Sequence, residues 1–449
     1  MQRRAFLKKA AAGIALPWLV PASALGLDGT VAPSNRLVAV AIGSGGRGFG
    51  DLSWLVGEKE VQFVAVCDVK RGNRDRAKAK VDEVYGNKDC KAYRDFRDLL
   101  AAHGKSDFAL IATGDRWHTP MSVHCMRAGM DVYCEKPGTL TIAEGQLLAA
   151  TEKKEKRIFQ TGAQRVSETN FMFMKEVIKR GMIGKVHTAR AHLGYMTKWP
   201  RVNAVRPEEP LPDKEEFDWD LWVGPAPMRP YNHEFVRAWP VPGWYTQYDF
   251  AGSIAQWGSH TILQVQHDLG LADTSAVEYE YPQDLQKDGF TIRFANGLKV
   301  IAQEDGFAVR FAGGKSETPD VWHGSCGVKY EGENGWIACA DGYERPDVSS
   351  PDLLKDFTAI VKEWKQREVD RSLTPRNHLG DFLECVKTRK TPRTPATTAH
   401  RTMTTNLIMD ICLDLKRSLK WDPVKEAFIN DDEANRLRAR QQRAPYAVV

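Results

Sequence analysis

The fold is decided by Arg36-Leu37-Val38-Ala39-Val40-Ala41-Ile42, which runs directly into Gly43-Ser44-Gly45-Gly46-Arg47-Gly48. The run from Leu37 to Ile42 is continuously apolar, which is typical of a parallel strand buried on both faces. A helical stretch follows to about Val56. The sequence therefore predicts a strand, a glycine-rich turn and a helix in succession.

The spacing of the next acidic residue makes this turn more specific. A second apolar run, residues 61–67, ends on Asp68, which stands 20 residues after Gly48. This is the fingerprint of a dinucleotide-binding fold: Gly43 permits the tight turn, Gly45 lets the backbone approach a pyrophosphate, and Gly48 allows close helix packing. The helix N-terminus offers free N–H donors to the anion. The predicted cofactor-binding residues of this region are Gly43, Gly45, Gly46, Arg47, Gly48 and Asp68.

Asp68 also bears on the choice of cofactor. A carboxylate at this point accepts hydrogen bonds from both ribose hydroxyls and repels a 2′-phosphate, so the sequence favours NAD over NADP. Lys70 and Arg71 follow closely, and because of these two cations NADP remains an alternative cofactor.

Strands alternate with helices as far as residue 163, which predicts an α/β fold with a doubly wound parallel sheet. Beyond Gln164 the strand-like segments indicate an open, mainly antiparallel sheet, and they cover residues 186–195, 277–281, 290–294, 299–303 and 307–311. Helices are expected over residues 375–387 and 396–419. The predicted units are a Rossmann domain (36–163), an α+β domain (164–374) and C-terminal helices packing back on both domains (375–449).

Composition excludes several classes of protein. The 449 residues include 42% hydrophobic residues, which excludes a disordered chain, and 63 Lys and Arg against 58 Asp and Glu give a formal charge of +5. Four of those basic residues and no acid lie in the first 24 positions, so the remainder is nearly neutral. The charge balance therefore gives no support to a nucleic-acid partner.

The first 24 residues have the three parts of an export signal. Arg3-Arg4-Ala5-Phe6-Leu7-Lys8 is followed by an apolar stretch to Val20 and by Ala22-Ser23-Ala24, a cleavage pattern. An amphipathic N-terminal helix is the alternative interpretation. The stretch is too short to span a bilayer well, and no integral membrane segment is expected in the mature chain. The sequence predicts a twin-arginine signal peptide (1–24), a linker (25–35) and export to the periplasm or beyond in the folded state.

Other chemistries lack their signatures. The eight cysteines are scattered without a Cys-x-x-Cys pair, and there is neither a His-Glu-x-x-His motif nor a Gly-x-Ser-x-Gly elbow. We therefore expect no disulfide framework, no metal, and no serine or cysteine nucleophile.

Lys136 is the candidate for proton transfer. Glu135-Lys136-Pro137 directly follows the predicted strand 131–134, and side chains at the carboxyl end of a parallel strand face the ligand crevice. Beside a positively charged nicotinamide, like charge and desolvation would favour the neutral amine, which can take the proton of a reacting hydroxyl.

The sequence resembles the Gfo/Idh/MocA family, named after glucose-fructose oxidoreductase and inositol dehydrogenase. The resemblance covers nearly all of the chain after the leader, and Trp219-Asp220-Leu221-Trp222 resembles exported bacterial members. It rests on the glycine turn, Ala112-Thr113-Gly114-Asp115-Arg116-Trp117-His118, Tyr133-Cys134-Glu135-Lys136-Pro137, and Trp219-Asp220-Leu221-Trp222-Val223-Gly224-Pro225-Ala226-Pro227. The resemblance implies that Lys136 is the catalytic lysine, that the chain forms a homo-oligomer through the second domain, and that the cofactor is lined by Thr113, Trp117, His118 and Glu135.

The same resemblance implies a substrate motif, Asp-x-x-x-His, in the second domain. The matching segment is Gln256-Trp257-Gly258-Ser259-His260, in which His260 is retained and Gln256 replaces the aspartate. Glutamine cannot stabilise an imidazolium by charge, so proton transfer through His260 should be altered. A structural role is the alternative for His260.

Aromatic and polar residues near these motifs are candidate substrate contacts. Tyr195, Trp244 and Tyr245 are predicted to stack on a sugar ring, whereas core packing is the expectation for most of their aromatic neighbours, which include Trp199, Trp239, Tyr248 and Trp257. Arg165 is predicted to hydrogen-bond the substrate, and Gln164 to touch the nicotinamide carboxamide.

Three functions remain open. In the first, the protein is an enzyme that retains its NAD and acts on a sugar, cyclitol or glycoside. Lys136 and His260 remove the hydroxyl proton, and the oxidation of one sugar is paired with the reduction of another. In the second, it is an NAD-dependent glycoside hydrolase, for which His260 or Tyr245 is the extra base. The third is a non-catalytic NAD-holding protein, which Gln256 favours and the retained Lys136 and His260 oppose.

Overall fold

The structure is a computed structural model. It describes residues 31–194, 204–237, 243–252, 254–284, 288–303, 326–341, 343, 345–367 and 375–448. Several sequence-based predictions lie outside these residues, namely the leader 1–24, the strand 307–311, and the aromatic residues Tyr195, Trp199 and Trp239.

Six parallel strands form the sheet of the first domain. They are β1 (Leu37–Ile42), β2 (Val61–Cys67), β3 (Lys91–Tyr93), β4 (Phe108–Ile111), β5 (Asp131–Cys134) and β6 (Phe159–Thr161). Their order is β3-β2-β1-β4-β5-β6, so the chain changes direction across the sheet between β1 and β4. The predicted doubly wound parallel sheet is confirmed, and its ligand crevice is expected at this switch point.

Helices cover both faces of this sheet. They are α1 (Gly46–Leu55), α2 (Arg71–Tyr85), α3 (Phe96–His103), α4 (Asp115–Ala128) and α5 (Ile142–Glu155). One apolar cluster includes Phe96 and Leu148, and the cluster on the opposite face includes Leu52 and Phe63. Burial on both faces explains why the central strands are continuously apolar.

Two elements of this domain differ from the sequence-based expectation. The edge strand β3 was not predicted, because Lys91 and Ala92 are exposed and the strand carries no apolar run. The sequence pattern predicts a helix from about Pro120 to Ala128, whereas helix α4 begins five residues earlier at Asp115, because Gly114 already serves as its N-cap. The earlier start brings Asp115 to the edge of the crevice.

A nine-stranded sheet forms the second domain. Its strands are β7 (Val186–His192), β8 (Glu278–Glu280), β9 (Phe290–Arg293), β10 (Lys299–Gln303), β11 (Val328–Gly332), β12 (Gly335–Cys339), β13 (Asp347–Val348), β14 (Leu419–Asp422) and β15 (Ala427–Phe428). The order is β13-β12-β11-β7-β10-β9-β8-β14-β15, and the pairs are antiparallel except β7 with β10. The prediction of a mainly antiparallel sheet is confirmed.

The C-terminal segment differs from its description as helices alone, because it also supplies β14 and β15. The remaining helices are α6 (Thr169–Lys179), α7 (Trp219–Val223), α8 (His233–Val236), α9 (Ala255–Asp268), α10 (Phe357–Arg367), α11 (Pro375–Thr388), α12 (Ala396–Leu415) and α13 (Asp432–Arg436). Phe382 of α11 packs edge-on against Phe108 in the core of the first domain, with ring centres 5.3 Å apart. Helix α12 packs against α5 of the first domain and α9 of the second, so this segment joins the two domains. Within the described residues, no helix is both long and apolar enough to cross a membrane.

Candidate active site

The glycine-rich turn between β1 and α1 forms an open backbone cradle. Gly43 has a φ of +87°, and a side chain there would place its Cβ 2.5 Å from the carbonyl oxygen of Ala112. A Cβ on Gly48 would lie 2.2 Å from the carbonyl oxygen of Gly43, whereas one on Gly45 or Gly46 would meet nothing within 4 Å. Two glycines are thus required by packing, and two leave space in front of the turn.

The start of α1 faces that space. Its N-cap, Gly45, makes no side-chain capping bond, so the first N–H groups of the helix are available to an anion. The donors and the space fit the pyrophosphate of a dinucleotide.

Asp68 lies across the turn at the end of β2. Its carboxylate accepts the main-chain N–H of Ser44 and of Lys70, each at 2.8 Å, and the side-chain amide of Asn73 at 3.3 Å. Burial raises the pKa of Asp68, and these hydrogen bonds oppose the rise. The carboxylate is therefore fixed beside the turn, where ribose hydroxyls are expected.

A cleft of about 460 Å³ runs from this turn to the second domain. Its first wall includes Gly45, Asp68, Thr113 and Trp117, and its second wall includes Trp222, Trp244 and Tyr245. Both domains thus contribute to one cavity, which is where ligands of small-molecule enzymes commonly bind.

Lys136 follows β5 and reaches the second domain. Its amine donates to the carbonyl oxygen of Gln256 in α9, at 3.2 Å, and the residue is half-buried. The carboxyl end of a parallel strand is the expected place for a group that acts on a bound ligand.

Two family descriptions match the chain along most of its length. "Oxidoreductase family, NAD-binding Rossmann fold" matches residues 38–163, and "Oxidoreductase family, C-terminal alpha/beta domain" matches residues 167–448. The chain belongs to the Gfo/Idh/MocA oxidoreductase family.

Individual relatives match shorter parts of it. A myo-inositol 2-dehydrogenase of Thermotoga maritima is 33% identical over 100 residues, 22% of this chain and 30% of that protein. A glycosyl hydrolase family 109 protein of Saccharopolyspora erythraea is 31% identical over 172 residues, 37% of each chain. These matches span only about a third of the curated relatives' length.

A solved structure supports the fold over a longer stretch. The WlbA dehydrogenase from Chromobacterium violaceum, crystallised with NADH and UDP-GlcNAcA, has a TM-score of 0.57 at 14% identity, covering 88% of this chain and 98% of that one. At this identity the likeness concerns the fold alone.

In this member of the Gfo/Idh/MocA family, Glu135 is the centre of a buried network. Its carboxylate accepts from the amide of Gln164 at 2.6 Å and from Nε of Arg47 at 3.2 Å. Asp51 of α1 joins it, and burial together with the charge of Glu135 holds the pKa of Asp51 well above its usual range. Gln164 also donates to the hydroxyl of Tyr133, at 3.0 Å. Gln164, predicted to touch the carboxamide, thus has its amide bound to protein groups in this structure.

His118 and Trp117 also bind protein groups. The ring nitrogens of His118 lie 2.6 Å from the carbonyl oxygen of Pro137 and 3.1 Å from that of Thr113. Trp117 lines the cleft with its ring and donates from Nε1 to the carbonyl oxygen of Leu221, at 2.8 Å. Both side chains hold the loops of the site in place.

Arg165 forms a bidentate pair with Asp341, at 2.9 and 2.6 Å. Its predicted role was to hydrogen-bond the substrate, but in this structure two of its nitrogens are bound to that carboxylate. Asp341 lies 176 positions further along the chain, so sequence spacing gave no signal of the pair.

His260 is buried on α9, one turn beyond Gln256. Its Nδ1 has no hydrogen-bond partner among the described residues. Burial, together with the charges of Arg165 and Lys136, holds the pKa of His260 well below its usual range. The imidazole is therefore neutral near pH 7 and carries one unprotonated ring nitrogen.

Gln256 has a partner that sequence reasoning missed. Its side-chain amide donates to the carboxylate of Asp115, the first residue of α4. Asp115 lies in the segment of residues 112–118, which carries part of the family resemblance, but no neighbouring residue indicates that α9 of the other domain packs on it.

A strap from the second domain, residues 213–218, covers the Asp68 end of the cleft. Its main chain pairs with the residues after β2: Asp218 donates to Val69 at 3.1 Å, and Arg71 donates to Glu216 at 2.9 Å. Lys70 and Phe217 form an antiparallel bridge. The strap is therefore joined to the first domain by backbone hydrogen bonds.

Carboxylates of the strap pair with the cations of this end. Arg71 pairs with Glu216, and Arg94 with both Glu215 and Asp218. Arg71 was one of the two cations because of which the sequence allowed NADP as an alternative. In the structure this arginine is bound to a carboxylate.

The glycine geometry predicts opposite effects for two similar substitutions. Gly45→Ala places its methyl group in open space, so we expect unchanged folding stability but roughly tenfold weaker NAD binding, because the pyrophosphate needs that space. Gly48→Ala forces a methyl group against the Gly43 carbonyl, so we expect a loss of about 1–3 kcal/mol in the free energy of unfolding. Urea unfolding and titration with NAD measure both quantities. Equal destabilisation by the two variants would contradict the cradle.

Proposed function

We propose that this protein is an NAD-dependent oxidoreductase that acts on a sugar, cyclitol or glycoside and keeps its cofactor through the catalytic cycle. The observation that carries the proposal is the half-buried amine of Lys136, which binds α9 at Gln256, one turn from the buried, neutral imidazole of His260. Lys136 follows β5, at the sheet edge where the neighbouring loops line a cleft with space for a dinucleotide. A lysine amine and an imidazole at this place are the groups that general acid–base catalysis uses to move a hydroxyl proton.

Each part of the cleft has a role in this reaction. The backbone at Gly45 and Gly46 would hold the pyrophosphate, and Asp68 would hold the ribose hydroxyls. Bound NAD would take up a hydride from the substrate carbon. Lys136 takes the proton of the hydroxyl on that carbon, and His260 is the second acceptor.

The charges at the ribose end favour NAD over NADP. A 2′-phosphate would lie near Asp68 and the carboxylates of Glu215 and Glu216, and Arg71 and Arg94 already pair with these strap residues. Like charges at close range oppose its binding.

The strap also supports retention of the cofactor. Release of the dinucleotide would require residues 213–218 to separate from residues 69–71 or the ligand to pass beneath them. An exported enzyme would benefit, because free nicotinamide nucleotide is scarce outside the cytoplasm. We propose periplasmic or other export through the twin-arginine route for the same reason.

A redox-neutral glycoside hydrolase is the second candidate, favoured by the family 109 relative that matches 37% of the chain. Transient oxidation of the sugar acidifies the neighbouring C–H, elimination expels the aglycone, water adds, and the ketone is reduced back. Tyr245, which lines the cleft, is the candidate second base.

We also propose a homo-oligomer formed through the outer face of the nine-stranded sheet. Alternate residues of β7 and β11 point away from the core there, and Arg190 pairs with Glu331 at 3.1 Å across the two strands. A broad open sheet face of this kind suits contact with a second copy.

The first test is turnover of a panel of free sugars, myo-inositol, and α- and β-glycosides in heavy water by the purified protein, after identification of any bound nucleotide. Deuterium at C2 with aglycone release indicates the hydrolase, and a lactone with a reduced partner sugar indicates paired oxidation and reduction. Lys136→Ala is expected to lower kcat at least about a hundredfold, the usual contribution of a general base.

Lys425→Ala is the matched control, because this lysine is exposed and lies outside the cleft. Bound NAD without turnover of any panel member would leave a non-catalytic binder. Full activity of Lys136→Ala would refute the proposed mechanism.

The strap is tested by Glu215→Gln combined with Glu216→Gln. The two carboxylates are more than half exposed, so each pair contributes only a few tenths of a kcal/mol to about 1 kcal/mol, and we expect roughly three- to tenfold faster NAD release. NADP binding should improve relative to NAD, because Arg71 and Arg94 lose their partners. Displacement by a fluorescent NAD analogue measures release, and Glu433→Gln is a control ion pair away from the cleft.

Export is tested by Arg3→Lys combined with Arg4→Lys in the full chain. We expect the protein to accumulate in the cytoplasm, because paired arginines are what the twin-arginine route reads. Cell fractionation measures the outcome, and unchanged periplasmic protein would contradict this route.

A further inference from the structure

Asp115 is a buried carboxylate at the contact between the two domains, and it is not among the predicted site residues. The residue is 2% exposed. Its carboxylate accepts hydrogen bonds from the side-chain amide of Gln256 and from the main-chain N–H of Gly252. Both donors belong to the second domain, so this carboxylate is bound across the domain boundary.

Gln256 connects this carboxylate to Lys136. The side chain of Gln256 holds Asp115, and its main-chain oxygen accepts from the amine of Lys136 at 3.2 Å. Burial raises the pKa of Asp115 to about 7, and the positive charge of Lys136 is the strongest of the interactions that oppose this rise. The carboxyl group thus changes charge in the neutral range, close to a candidate proton acceptor.

Among the described residues, the other ionisable groups whose charge interacts with Asp115 are Arg116 of its own helix and Cys134 of β5. The guanidinium of Arg116 donates to the carbonyl oxygens of Trp222 and Val223, at 3.0 and 3.1 Å, and lies 4.1 Å from the ring centre of Trp222. Burial raises the pKa of the Cys134 thiol, so that group is neutral. Lys136 is therefore the cation of the reacting site that faces Asp115.

We infer that Asp115 is a positioning residue of this site, which fixes the Lys136 amine through Gln256 and, when ionised, stabilises its protonated form. The inference rests on the proposed function in one respect, namely that Lys136 takes up the hydroxyl proton of the substrate. It follows that the carboxylate missing at position 256 of α9 is supplied from α4 of the other domain.

The hydrogen bonds fit the ionised carboxyl group. The side-chain amide of Gln256 and the main-chain N–H of Gly252 both donate to the Asp115 carboxyl group, so its oxygens have to act as acceptors. A protonated Asp115 would bring a third hydrogen to the same place. When Lys136 receives a proton from the substrate, an opposite charge is already in place, which lowers the cost of forming the ammonium in a partly buried site.

The test reads Lys136 directly and needs no substrate. Purified protein, with any nucleotide it carries, is treated with a trace of isotope-labelled acetic anhydride over a range of pH, and acetylation of the Lys136 peptide is measured by mass spectrometry. Exposed Lys425 in the same digest corrects for reagent reactivity. Asp115→Asn is expected to speed Lys136 acetylation roughly tenfold above neutral pH, because removing one nearby negative charge disfavours the ammonium.

Asp115→Glu is the matched variant that keeps the charge, and we expect its acetylation rate to stay within about threefold of the unmodified protein. Equal rates in the unmodified protein and Asp115→Asn would overturn the inference. Equal acceleration in Asp115→Asn and Asp115→Glu would also overturn it, because a loss of packing would then explain the change.

The unmodified protein supplies a second measurement in case Asp115→Asn does not fold. The logarithm of the Lys136 rate should rise with pH, flatten near pH 7 where Asp115 loses its proton, and rise again. A single unbroken rise would overturn the inference. If the acetylation rate of Lys136 depends on Asp115 but no panel substrate is turned over, the proposed function is refuted and the inference about Asp115 stands.

Discussion

The close approach of α1 to the end of β1 is the constraint on which the site depends. At Gly48 the helix lies so near the turn that a methyl group would overlap the Gly43 carbonyl, and at Gly43 the turn lies equally near the loop after β4. This contact aims the helix N-terminus at the space in front of Gly45. It also sets the distance from the turn to Asp68, whose carboxylate binds the Ser44 amide. The cradle for the ligand therefore results from backbone packing and does not depend on side chains that contact the ligand.

The remaining groups meet because parallel strands end at one edge of the sheet. Asp68, Thr113 and Lys136 follow β2, β4 and β5, and α9 of the second domain closes over this edge through Gln256. The second domain adds the aromatic wall and the strap, so the cleft exists only where the two domains meet. Helices α11 and α12 hold that relation, because α11 packs on the first domain and α12 on both.

Local signals in the sequence predicted the features that depend on neighbouring residues. The apolar run, the glycine spacing and Asp68 all act within one strand–turn–helix unit, and they predicted the parallel sheet and the cradle. Partners separated by more than a hundred positions left no such signal, as with Asp115 and Gln256 or Arg165 and Asp341. Residue type indicated that these side chains are polar and near the site, but only the packing of the two domains decides which of them bind each other.

Paired charges hold several side chains of the site in place. Glu135 with Arg47, Arg165 with Asp341 and Asp115 with Lys136 all lie in partly or fully buried surroundings, where an isolated charge would be costly. Arg165 and Asp341 satisfy each other, and Glu135 accepts hydrogen bonds from Arg47 and Gln164. Asp115 and Lys136 differ, because they are joined through a neutral glutamine and Asp115 titrates near pH 7. A change of charge at Asp115 therefore takes place close to the candidate catalytic lysine, while the Arg165–Asp341 pair keeps its own geometry fixed.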